Sequence, residues 1–146
     1  MRRRARARGP PPAGPRSRPP AGRAWQPSVP AWFEIPSADL DRAVRFYEKV
    51  LDTRLRREDM GPMRMAVFPS EKPLPTGAIV HAPGYAPAET GTVLYLNVDD
   101  IRPVLGRVPA AGGAVALPLT ELPQGAGVFA QIRDSEGNRV GVFSAR

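Results

Sequence analysis

The chain has 146 residues, 42% of them hydrophobic, which suits one compact core rather than two domains. It has no cysteine, which excludes disulfides, zinc–thiolate sites and thiol catalysis and agrees with the cytoplasmic location expected of it. The net charge of +7 is local: residues 1–27 hold eight Arg and no acid, and the other 13 basic and 14 acidic residues leave 28–146 at −1.

Residues 1–27 also contain seven Pro and no Ile, Leu, Val or Phe. Such a segment buries too little apolar surface to offset its ordering entropy, so a disordered Arg/Pro-rich tail is expected. It has one aromatic residue, Trp25, and none of the Arg–aromatic interleaving that stacks on bases, so nucleic acid is not an expected partner. A regulatory role through this basic tail stands as an alternative. No apolar run reaches the roughly 18 residues that span a bilayer, and no hydrophobic segment follows Arg2-Arg3-Arg4, so neither a membrane nor a secretory signal is expected.

A single folded domain is expected over 28–146. Its first module, about 31–84, opens with a short strand, Ala31 to Ile35, ended by Pro36. Ser37 and Asp39 are both helix N-cap types. Leu40, Ala43, Val44, Tyr47, Val50 and Leu51 then recur along one face of an amphipathic helix. Strands follow near 53–58, 64–69 and 77–82, with Gly61-Pro62 between the first pair and Pro73 and Pro75 in the loop before the third. Residues 83–91 read as a connection.

The pattern restarts in a second module, about 92–146. Thr92 to Val98 is a strand, Asp99-Asp100 offers an N-cap, and Ile101, Val104, Leu105 and Val108 mark a shorter helix that Pro109 is expected to end. Strands are expected at 114–117, 126–133 and 138–143, the last two joined by the turn Asp134-Ser135-Glu136-Gly137-Asn138. An offset of 61 residues superposes Ile35 on Leu96, Asp39 on Asp100 and Tyr47 on Val108. The expected fold is therefore α+β: two βαβββ modules whose curved mixed sheets pair around a central cleft, where a ligand would lie.

The stretches FEIPSADLDRAVRFYEKVL, LYLNVDDIRPVLGRVPAAGG and IRDSEGNRVGVF resemble the vicinal oxygen chelate superfamily, which includes glyoxalase I, extradiol dioxygenases and the fosfomycin- and bleomycin-resistance proteins. The resemblance covers residues 31–146. It implies metal ligands at three places: seven residues before each module's helix-start Asp, and third after the Asn of the closing hairpin. Those positions hold Trp32, Val93 and Gly141, none of which is a donor to a divalent metal. The expectation is thus a metal-independent small-molecule-binding protein of the sequestering or resistance type, with no metal and no cofactor. The alternative is a glyoxalase-like lyase or isomerase, or a dioxygenase-related enzyme, with a non-standard site.

Trp32 would floor the cleft, with Glu34 on the same strand parity. Val93 and Tyr95, Phe129 and Gln131, and Gly141 and Phe143 would line it, the missing side chain of Gly141 favouring an open cavity. Glu34 and His81, the only histidine, are the candidate bases. Glu34 equally suits pairing with Arg64 or Arg133, and His81 a bond to backbone. A homodimer is expected, because proteins of this resemblance commonly form one.

Overall fold

The computed structural model describes residues 30–71 and 76–146; the expected tail and the Pro73–Pro75 loop segment lie outside them. Strand β1, Phe33–Pro36, leads into helix α1, Leu40–Leu51. Of the two candidate caps Asp39 is the one used: its extended backbone (φ −139°) lets Oδ1 accept the Arg42 N–H at 3.1 Å. Asp52 ends α1 in the left-handed region (φ 49°) and returns its N–H to the Glu48 carbonyl. The buried stripe is wider than the periodicity predicts, since Phe46 is buried too while Leu51 is only half-buried. Phe46 packs edge-on against Tyr47 and reaches Gly113 of the other module, so α1 is buried on two sides.

Strands β2 (Arg56–Met60), β3 (Met63–Val67) and β4 (Gly77–His81) complete sheet 1 in the order β1-β4-β3-β2, with β1 parallel to β4. The second module repeats the plan. Strand β5 (Tyr95–Asn97), helix α2 (Ile101–Ala111), β6 (Ala114–Glu121), β7 (Val128–Arg133) and β8 (Arg139–Ser144) form sheet 2 in the order β5-β8-β7-β6. Asp100 caps α2 with nearly the backbone angles of Asp39, as the 61-residue offset predicts.

Strand β2 lies at Arg56–Met60 rather than 53–58, and three further expectations change. The Thr92–Val98 strand shrinks to Tyr95–Asn97, although the Leu94 carbonyl still accepts from Gly141 and Val98 still donates to Phe143. Pro109 does not end α2: it sits in the last turn, and Gly112 (φ 103°) makes the exit two residues on. Strand β6 runs to Glu121 instead of stopping at Leu117, because register shifts on either side of Leu117 accommodate Pro118 on an edge strand.

One continuous core joins the modules, and α1 against α2 is the principal element contact between them. Arg107 Nε donates to the Val50 carbonyl (3.0 Å) and Lys49 Nζ to the Ala110 carbonyl (3.2 Å). At the opposite end of α1 the β7–β8 turn acts as a latch. Glu136 Oε1 accepts the Ala38 and Asp39 N–H groups at 3.0 and 2.8 Å, at the positive end of the helix, and its carboxylate takes a two-point contact from Arg42. Asn138 Nδ2 donates to the Pro36 carbonyl (2.8 Å), and the buried Tyr47 hydroxyl donates to Asp134 Oδ2 (2.6 Å). Burial foremost, then the Asp134 charge and hydrogen bond, push the Tyr47 phenol well above its ordinary value. Asp134 Oδ1 also accepts from the Glu136 and Asn138 amides, so the turn enters the core with its acceptors satisfied.

Candidate functional site

Side chains alternate across each strand, so every sheet has one face on its helix and one turned away. In sheet 2, Leu96, Ala130, Val140 and Val142 fill the helix side. Tyr95, Phe129, Gln131, Arg139, Gly141 and Phe143 share the other. The register places Tyr95 beside Gly141, Gly141 beside Gln131, and Phe129 beside Phe143.

A connected polar and aromatic surface results. Tyr95 and Phe129 meet edge-on with centroids 6.0 Å apart. Gln131 Nε2 donates to the Tyr95 hydroxyl oxygen at 2.7 Å, and its Oε1 accepts from Arg139 Nη1 at 3.0 Å. Both ends of the amide are thereby oriented. Because the Tyr95 oxygen accepts, its own proton is left to donate, and Arg139 keeps N–H groups beyond the one Gln131 takes. Tyr95 is 42% exposed.

Gly141 does not open a cavity, as its missing side chain suggested. A Cβ there would collide with the Tyr95 ring, which lies on the glycine and occupies the space. Gly141 is the seat of the aromatic side chain. Arg139 escaped the sequence reading, although its parity with Gly141 and Phe143 was available to find it.

Sheet 1 is different. Met65, Val67, Ala78 and Val80, on the face turned away from α1, are buried with Met63, Ala82 and Tyr85 packed on them. Glu34, on that face, lies beside the Tyr85 hydroxyl. Partial burial, then the charge and hydrogen bond of Glu34, raise the Tyr85 pKa. Tyr85 was a second omission, its place in the 83–91 connection giving no periodic signal. Arg133 is paired with Glu89 rather than Glu34. His81 Nδ1 lies 2.9 Å from the Ser37 carbonyl, so one ring nitrogen is engaged by backbone. Trp32 is 43% exposed and Val93 half-buried ahead of β5.

Glu34 is beside Tyr85, while Tyr95, Phe129, Gln131 and Phe143 cluster on sheet 2. A groove of about 780 Å³ does lie between the modules, but Phe33 rather than Trp32 lines it, from the helix side of β1.

The donor chemistry does not fit a divalent metal. Trp32, Val93 and Gly141 offer no ligand atom, and among the described residues no three His, Asp or Glu side chains come together to hold one. Among the same residues, no helix is long and apolar enough to cross a membrane.

The family model of the Glyoxalase/Bleomycin resistance protein/Dioxygenase superfamily matches residues 30–142. A comparison with curated proteins finds no match. Among solved structures, the glyoxylase/bleomycin resistance protein/dioxygenase domain from Frankia sp. EAN1pec is 23% identical over 81% of this chain and 98% of its own, with a TM-score of 0.62. A glyoxalase/bleomycin resistance protein from Albidiferax ferrireducens T118 is 17% identical over 78% of this chain and 96% of its own, with a TM-score of 0.59. Glyoxalase I from Zea mays is 20% identical over 79% of this chain, with a TM-score of 0.58, and this chain spans only 45% of the maize chain. At these identities the likeness is one of fold.

Proposed function

The chain belongs to the Glyoxalase/Bleomycin resistance protein/Dioxygenase superfamily, and from that premise we propose that it binds a small molecule without a metal, on the open face of sheet 2. The observation that carries this reading is the Tyr95–Gln131–Arg139 hydrogen-bonded chain. It presents two donors, a phenol and a guanidinium, beside the Tyr95–Phe129 aromatic pair. Rings supply area, and a few oriented donors supply selectivity. The ligand such a face suits is aromatic and carries a carboxylate or another anionic group, since Arg and carboxylate match in charge and shape.

The sequestering role belongs to the same reading: the face holds donors and apolar area, and neither candidate base lies on it. Glu34 is on sheet 1 beside Tyr85, and His81 is bonded to the Ser37 carbonyl. The expected homodimer fits as well, because Trp32 (43%), Met60 (59%) and Val115 (41%) are exposed large apolar side chains away from the proposed ligand contacts that a second copy would cover.

The test is calorimetric titration of the full chain with 1-naphthoate, with and without EDTA. Saturable binding insensitive to chelator is expected, weakened about tenfold or more by Arg139→Gln. Binding that needs added metal, or that ignores Arg139, overturns the reading.

A further inference from the structure

The groove between the modules is a separate feature on the other side of the strands. Its apolar walls come from both modules: Phe33 of β1, Phe68 just after β3 and Leu51 at the end of α1 on one side, Leu96, Val98 and Val104 on the other. About 780 Å³ is within the range of small-molecule sites. Phe33 and Phe68 stand with ring centroids 5.5 Å apart at 46°, so the half-buried Phe33 ring faces the groove with the buried Phe68 ring behind it.

The rim is acidic. Among the described residues, Asp52, Glu71, Asp99 and Asp100 border the groove with one cation, Arg107, whose Nε donates to the Val50 carbonyl and whose charge is outnumbered by the four carboxylates. Asp100 caps α2 and lies 3.4 Å from Arg102. Asp52 and Asp99 form no ion pair among the described residues. The two come from opposite modules, one at the end of α1 and one just before α2, so their fields add over the opening. Aromatic walls below a carboxylate rim match the needs of an organic cation: apolar area, the negative faces of rings, and unpaired opposite charge.

We propose that this groove is a second binding site, distinct from the open face of sheet 2, and that it takes a small organic ammonium ion with an apolar body. Phe33, backed by the buried Phe68, holds the body and the onium group, and Asp52 and Asp99 supply the compensating charge. The site exists only when the modules are docked, because each contributes one wall and one of the two carboxylates, Asp52 and Asp99, invoked here.

Ligand-detected NMR on the full chain tests this, using benzyltrimethylammonium and its uncharged isostere neopentylbenzene. The cation should saturate and bind about tenfold tighter than the isostere. The double variant Asp52→Asn, Asp99→Asn should remove most of that advantage while preserving the fold, Asn being well suited to the left-handed backbone at 52. Phe33→Leu should weaken the cation more than the isostere, and Arg139→Gln on the open face should leave both unchanged. Equal binding of the two probes, absence of saturation, or sensitivity to Arg139 instead of the aspartates each overturns the proposal. So does cation binding that appears only after the eight arginines of residues 1–27 are replaced by Gln, since the chain's own basic segment is then the occupant.

Discussion

Module 1 and module 2 share one plan, yet treat the outer face of their sheets in opposite ways. In module 1 the chain leaves β4 and returns, so that Ala82 and Tyr85 pack onto Met65, Val67, Ala78 and Val80 and bury them. In module 2 the same face keeps Tyr95 exposed and ties it to Gln131 and Arg139. The equivalent cross-strand pairs are Glu34–Ala78 and Tyr95–Gly141. A small residue stands opposite in both, but only in module 2 does an aromatic ring use the space. A duplicated fold thus supplies two similar platforms, and a few side chains decide that one is sealed and the other available.

The largest expected effect comes from separating the modules. Asp134→Ala strips the acceptor of the Tyr47 hydroxyl, two turn amides and Asn138 Nδ2, all at a buried site. A loss of about 3–5 kcal/mol in urea unfolding is expected. Tyr47→Phe should cost about 1–2 kcal/mol, because Asp134 keeps its other donors. A near-neutral Asp134→Ala would mean that the two modules do not depend on the latch.

The glycines give the next effect and separate the modules directly. At Gly77 an added Cβ meets both the ring and the backbone carbonyl of Phe33; at Gly141 the nearest atoms all belong to the Tyr95 side chain. Gly77→Ala should therefore destabilise by about 2–4 kcal/mol and Gly141→Ala by about 1–2 kcal/mol in the same assay. Tyr95→Ala should rescue Gly141→Ala, while Phe33→Ala should leave most of the Gly77→Ala defect, since a backbone carbonyl cannot be pruned.

The smallest effect is a pH dependence at the latch. Burial alone would raise the Glu136 pKa, but hydrogen bonds from Arg42, the Asp39 amide and Ser135, with the Arg42 charge, outweigh it and leave the value lowered. A carboxylate with a depressed folded-state pKa stabilises the fold above its unfolded value, about 4.3 for Glu, and loses that contribution as pH falls through the folded value. Melting curves between about pH 6 and pH 3 should show Glu136→Gln less stable at the upper end and flatter on acidification. Parallel curves for the two proteins would show that the latch carboxylate contributes nothing.

Much of this architecture was legible where the signal is local. The Asp39 and Asp100 caps were readable because a cap needs only its own first turn, and the α1 stripe because burial repeats with the helix period. Phe46 lay off that stripe, since its burial comes from the neighbouring module. The length of β6 was hidden behind Pro118, whose disruption is absorbed by register shifts that no propensity announces. For the site, strand parity grouped Tyr95, Phe129, Gln131 and Phe143 correctly on one face. It could not show that the Tyr95 ring lies on Gly141, nor that Glu34 lies beside Tyr85.

By itself the sequence determined the duplicated strand–helix–strand plan and the absence of donors at Trp32, Val93 and Gly141, because periodicity, capping and ligand chemistry are properties of individual residues and their near neighbours. Only the tertiary structure decided which faces are open. Tyr47 meets Asp134 across 87 residues of chain, and that latch with the α1–α2 contact joins the modules through their helices rather than their sheets. Which surfaces the packed modules present, among them the open face of sheet 2 and the acid-rimmed groove between the modules, depends on long-range packing no local pattern encodes.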